Sequence, residues 1–394
     1  MSSASVRTVL PLALVTGTSM LAMDLFLPAV PTLRASLGID VVAAQATVAV
    51  FLAGLAASQL VWGEALNRLG PRRCVVIGVS FLILSSVGCA LAPDLPVLLA
   101  LRLVQGFSAG AAMIVAPSVV RATLSDADAV RGIATISMVE ALVPAAGPVL
   151  GAALLVYTDW RGTFWLLAAA TLLVFPITIR VTPRVLPGLD HSVPAGYRTI
   201  FSNRKFVRLA LSHAFTVGAL LMFVASAPQL LANVFHLGSS AFAALQVIGV
   251  AAFIVTASQS GRIAGHLGVG KAVKVGAWIH VALCLALCLA TLLPGLPFAG
   301  IAIFWVGFCG SLAVRGPSAV SDALAVPSAQ MGRASAALVL AILIAGALGT
   351  QLVAPLLDGA SALPVAIAML VMTGASALLV TPYPSGTAAT APIQ

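Results

Sequence analysis

Apolar residues run along this chain in blocks of about 20, separated by short polar breaks, and that length is what a helix needs to cross a bilayer. Twelve blocks fall near residues 9–30, 43–63, 74–92, 96–119, 132–156, 163–181, 208–230, 241–261, 272–293, 297–317, 333–355 and 361–380. The longest polar break contains Pro183, Pro187 and Pro194 together with Arg184, Arg198, Arg204 and Lys205, and it divides the blocks six and six. The pattern predicts an all-α membrane protein. Its expected parts are a six-helix bundle over 1–181, a cytoplasmic linker over 182–206, a second six-helix bundle over 207–380 and a disordered cytoplasmic tail over 381–394. The first block is too long for a secretory leader and ends in Pro28 and Pro31 rather than a small-residue cleavage site, so it is expected to remain as the first span.

Composition strengthens this reading. The chain is 61% hydrophobic and only 8% charged, against roughly 25% charged for a soluble domain. Its net charge of +9 raises the question of nucleic acid, but the basic residues sit in the breaks between apolar blocks. Sixteen Arg and Lys fall in the breaks on the side of the N-terminus, and only Arg34 and Arg161 on the other. That asymmetry is the positive-inside pattern, so both termini are expected to be cytoplasmic and no nucleic-acid partner is expected. The five cysteines lie in or beside apolar blocks with no metal spacing, and read as small core residues.

One break occurs twice. The stretch 63–73 after the second block and the stretch 261–271 after the eighth share Gly63 with Gly261, Gly70 with Gly268, and Arg73 with Lys271. The same loop in each half implies two repeats related by an axis along the membrane normal.

Against this apolar background Asp24 stands out. A carboxylate at membrane depth costs about 2.5–3.5 kcal/mol even on the lenient insertion scale. Asp24, Leu27, Pro28 and Pro31 form one motif; Gly63, Asn67, Arg68, Gly70 and Arg72 form a second in the next break. Arg102, Gln105 and Gly106 form a third in the fourth block, and Pro144, Gly147, Pro148 and Gly151 a fourth in the fifth block. Together they resemble the major facilitator superfamily, and more narrowly its twelve-span drug–proton antiporters of the bicyclomycin and chloramphenicol resistance branch. The resemblance implies a twelve-helix fold in two pseudo-symmetric halves around a central cavity, working by alternating access. It implies that Asp24 is a protonation site, that Arg102 tunes it, and that the 63–73 loop and the glycine-proline motif govern conformational change and tightness against ion leak. Two positions depart from the superfamily's loop, Asn67 in place of an acid and Pro71 in place of a base, with Glu64 a nearby substitute for the lost negative charge.

Glu140 is a further acid near the fifth block, open between a second proton site and a structural partner for Arg102 or Arg131. Arg315 and Asp322 are expected to pair. The candidate cavity residues are Phe26, Phe51, Gln105, Phe215, Phe223 and Gln229. There is no Walker loop, no Gly-x-Ser-x-Gly and no HExxH, so neither an enzyme nor a cofactor or metal is expected. The expected activity is proton-coupled efflux of small amphipathic drugs or toxic metabolites across the bacterial inner membrane, by a monomer. The alternative is a proton-coupled exporter or importer of a sugar, amino acid or pathway metabolite on the same fold.

Overall fold

A computed structural model describes residues 3–185, 197–293, 295–326, 328–359 and 361–381. Most of the expected linker (186–196), nearly all of the expected tail (382–394) and the side chain of Asn67 lie outside the described residues. Fourteen helices follow one another: α1 Ser3–Asp24, α2 Val30–Leu37, α3 Val41–Leu69, α4 Pro71–Leu91, α5 Leu95–Thr123, α6 Asp126–Leu154, α7 Trp160–Val181, α8 Tyr197–Ser202, α9 Arg204–Val234, α10 Ser239–Leu267, α11 Val269–Thr291, α12 Phe298–Ala323, α13 Ser328–Val353 and α14 Leu363–Val380. Twelve candidate spans come from these, with α1 and α2 joined as one from Ser5 to Leu37. The first span is longer than its apolar block predicts. Pro31 does not stop it, because it falls in the first turn of α2, where a missing N–H leaves nothing unpaired.

Alternating helix direction defines two faces. One carries residue 3 and the turns after α3, α5, α10 and α12; here it is called the N-terminal face. The other, far face carries the turns after α2, α4, α6 and α9. Acids at the far face act as helix caps. Asp40 accepts from Ala43 N at 2.7 Å, Asp94 from Val97 N at 3.0 Å and Asp159 from Arg161 N at 2.9 Å.

The repeat read in the sequence has a geometric counterpart. Gly70 ends α3 and precedes α4 at φ 79°, and Gly268 ends α10 and precedes α11 at φ 80°. Both need the left-handed region that a Cβ disfavours, so glycine at each is a requirement of the turn.

Within the first half, α3 packs along α5, α4 against α5 and α7, and α1 against α6 and α7. In the second, α9 packs along α13, α10 along α12, and α11 against α12 and α14. The halves meet where α3 lies against α13 and α6 against α10. Three polar contacts join them at the far face. Arg34 pairs with Asp358 at 2.8 Å, Gln45 Nε2 donates to the Ala225 carbonyl at 3.2 Å, and Gln351 Nε2 lies 3.5 Å from the Val42 carbonyl.

Candidate functional site

The first span breaks at its one acid. Pro28 has no N–H, so the Asp24 carbonyl loses its helical donor. Phe26 N then turns to the Met23 carbonyl at 3.1 Å, tightening the last turn of α1 and leaving the Ala22 carbonyl without a backbone partner. Asp24 is thus the last residue of α1, 8% exposed. Among the described residues it makes no ion pair and no hydrogen bond through its carboxylate.

Helix α6 runs directly beside this break. A Cβ on Gly147 would stand 2.6 Å from Asp24 Cβ, and one on Gly151 would strike the Leu25 carbonyl and stand 3.0 Å from Pro28. Gly17 of α1 is similarly tight, 2.8 Å from Val139 of α6. The glycines of the fourth motif therefore face the broken segment within the same half, and Pro144 lines the cavity beside them.

Arg102 is fully buried. Nη1 donates to the orphaned Ala22 carbonyl at 3.0 Å and to Gln105 Oε1 at 2.5 Å, and Nε donates to the Thr47 carbonyl at 3.2 Å. Its guanidinium lies 4.7 Å from the Phe26 ring centre and 4.4 Å from that of Phe51. The structure does not bring Arg102 into an ion pair with Asp24. It brings it to the carbonyl two residues earlier, where a cation suits the negative end of a helix. The C-terminal half has its own fully buried guanidinium, Arg315, bonded to Thr216, Ser212 and Ser376 hydroxyls at 2.5–2.9 Å. The expected Arg315–Asp322 pair is absent; Asp322 pairs instead with Lys205 at 2.8 Å, because Arg315 is drawn inward by hydroxyls on α9 and α14.

Between the halves is a cavity of about 370 Å³ whose wall is almost wholly apolar. Residues of α1, α3, α5, α6, α9, α10, α12 and α13 form it; α4, α7, α11 and α14 contribute none. Among the described residues, Asp24 is the one charged residue in that wall. Of the six cavity candidates named from sequence, only Phe51 lines it. Phe26 is buried against Phe164, ring centres 5.0 Å apart, and Phe223 against Trp305 at 4.6 Å. Gln105 bridges Arg102 and Ser86, Gln229 bonds Asn233, and Phe215 lies outside the lining. The wall also uses Gln246, one of the intramembrane glutamines that could line a cavity, and Met20, Met23, Met113, Phe253 and Trp305, which nothing in the sequence singles out. Glu140 is half-buried next to the cavity-lining Ala141 but is not itself in the lining. It pairs with neither Arg102 nor Arg131; Arg131 has Asp128 at 3.7 Å.

In the last turns of α3, Arg68 pairs with Glu64 at 2.8 Å, both well exposed, so the pair contributes at most about 1 kcal/mol. A Cβ on Gly70 would stand 2.5 Å from the Arg184 carbonyl, whereas one on Gly63 would meet nothing. Arg72 lies in the first turn of α4.

This architecture is matched by one family profile, described as Major Facilitator Superfamily, over residues 12–350. The chain belongs to the major facilitator superfamily. The family is one of membrane transporters rather than enzymes. This major facilitator chain is 26% identical over 228 residues to multidrug resistance protein MdtL of Escherichia fergusonii, and equally to that of Escherichia coli. The match takes in 57% of this chain and 58% of those relatives. In fold it is similar to a bacterial homolog of the human lysosomal transporter Spinster in an inward-facing, unoccupied conformation, with TM-score 0.76, 16% identity and coverage of 96% of this chain and 97% of that one. It is also similar to a D-xylose-proton symporter, with TM-score 0.72, 14% identity and coverage of 94% and 96%.

Proposed function

We propose that this chain exports small amphipathic drugs or toxic metabolites from the bacterial cytoplasm in exchange for protons, as a monomer in the inner membrane and as a member of the bicyclomycin and chloramphenicol resistance branch. The observation that carries the reading is Asp24, an acid without a partner in the wall of an otherwise apolar cavity, placed at the break of the first span. Isolated charge in such a wall is costly. A proton or a basic solute neutralises it, and the two compete for one carboxylate. Linkage makes the competition reciprocal: the proton weakens solute binding by the same factor as the solute weakens proton binding.

The basic residues, among them Arg68, Arg121 and Arg131 near the ends of α3, α5 and α6, support a cytoplasmic N-terminal face. On that reading the Arg34–Asp358 and Gln45–Ala225 contacts join the halves on the outer side, and solute is expected to reach the cavity from the cytoplasm. Solute enters and displaces the proton from Asp24. The halves rock about the cavity, and the far-face contacts part. Arg102 acts as a positioning residue: it ties the broken end of α1 to α3 and α5 and so holds Asp24 in the wall. Gly147 and Gly151 let α6 press on the same break, which leaves no gap for ions.

A sugar is the poorer cargo for these walls. A polyol needs many convergent hydrogen-bonding groups, and this lining offers few beyond Asp24, Ser19 and Gln246. The test is resistance in cells with the efflux background removed, expressing wild type or Asp24→Asn at equal membrane levels. Wild type should raise the inhibitory concentration of at least one amphipathic drug, and a protonophore should cancel the gain. Asp24→Asn should confer none; full resistance in that variant removes Asp24 from the mechanism.

A further inference from the structure

Several glutamines are buried in the bundle, and all but one are used by the protein. Gln45 donates to Ala225, Gln59 to Leu55, Gln105 links Arg102 and Ser86, and Gln229 donates to Asn233. Gln246 on α10 is the exception among the described residues. It is 2% exposed, lines the cavity, and makes no hydrogen bond at either end of its carboxamide. A buried polar group without a partner is uncommon and needs a reason.

Its neighbour on the same wall has the complementary deficit. The Trp305 indole Nε1 on α12 is buried with no acceptor. Gly249, three residues on from Gln246, brings the α10 backbone onto that nitrogen, where a Cβ would strike it. Phe223 stacks on the indole at 4.6 Å and holds its plane. The wall of the C-terminal half thus carries one acceptor without a partner, Gln246 Oε1, while the α10 backbone at Gly249 covers Trp305 Nε1. The wall of the N-terminal half presents Asp24.

We propose that Gln246 is a specificity-determining residue of this cavity, which takes solutes bearing a secondary amide or similar N–H donor, with a basic group toward Asp24. The solute N–H donates to Gln246 Oε1, the acceptor on this wall that the protein leaves unpaired. This deepens the export reading and rests on Asp24 as the wall carboxylate.

Procainamide and procaine test it. They share a basic tertiary amine and an aromatic ring, and differ in an amide N–H against an ester oxygen. Affinities of both are measured for the full-length protein purified in detergent. Wild type should bind procainamide about fivefold more tightly than procaine, the size of one neutral hydrogen bond. Gln246→Leu should bind the two equally, and Gln246→Met repeats the test should the Leu variant fail to fold. Asp24→Asn should weaken both and keep the preference. Equal affinities in wild type, no binding of procainamide, or a preference surviving in Gln246→Leu would overturn the proposal. Unchanged affinity in Asp24→Asn with the preference intact would instead sink the Asp24 reading and leave Gln246 standing.

Discussion

A buried guanidinium without a carboxylate must find other oxygens, and Arg102 finds them on the backbone. Its three acceptors come from α1, α3 and α5, namely the carbonyls of Ala22 and Thr47 and the side chain of Gln105. Removing it leaves those groups buried and unpaired, at about 1–3 kcal/mol each. Arg102→Leu should therefore lower the unfolding temperature in detergent sharply and abolish transport. Arg102→Lys keeps the charge but lacks the planar fork, and should recover only part of both. A Leu variant as stable as wild type would show that the tie to α1 is dispensable. The sequence made Arg102 conspicuous, a charge in an apolar run, but not its partners. Gln105 lies three residues on in the same block, but the Ala22 carbonyl is free only because another helix, α1, breaks, which no spacing within the fourth block reveals. Phe26, Phe215 and Phe223 misled for a related reason: aromatic size says nothing about which face of a helix meets the cavity, and aliphatic residues, leucine foremost, took much of that lining.

The element on which the site depends is the first span, broken where Asp24 must sit and pressed by α6. The proline pair foretold a bend in the sequence, and the bend is there. What could not be read was that Gly147 and Gly151 face that bend, since a small-residue face is compatible with any close neighbour. Gly147→Ala places a methyl carbon 2.6 Å from Asp24 Cβ, and the neighbour is the main chain of α1 rather than a flexible tip. Overpacking of this kind costs about 1–3 kcal/mol. Its effect should fall on the site: efflux should drop at least tenfold with the protein still in the membrane. Gly374→Ala, where a Cβ meets nothing within 4 Å, is the control and should transport normally. Equal activity of the two variants would mean that α6 does not fix the position of Asp24.

At the scale of the whole molecule, the twelve spans were legible because bilayer thickness sets a length that composition records directly. The two-fold repeat was legible in Gly70 and Gly268 because that turn admits little else. The cavity wall was not, being assembled from single faces of eight helices. The far-face contacts suit a seam that opens and closes. Arg34 and Asp358 are partly exposed, so their pair contributes no more than about 1 kcal/mol, and the Gln45 and Gln351 contacts are single neutral hydrogen bonds. A closure this weak can yield to the binding energy of a solute or a proton. Exchange at Asp24 is the claim that joins these parts, and coupled flux is its most direct measure. With the protein reconstituted in liposomes at equal pH on both sides, a gradient of an exported drug should drive protons in the opposite direction. Asp24→Asn should move none. Proton flow in the same direction as the drug, drug flow without protons, or unchanged coupling in Asp24→Asn would contradict the account.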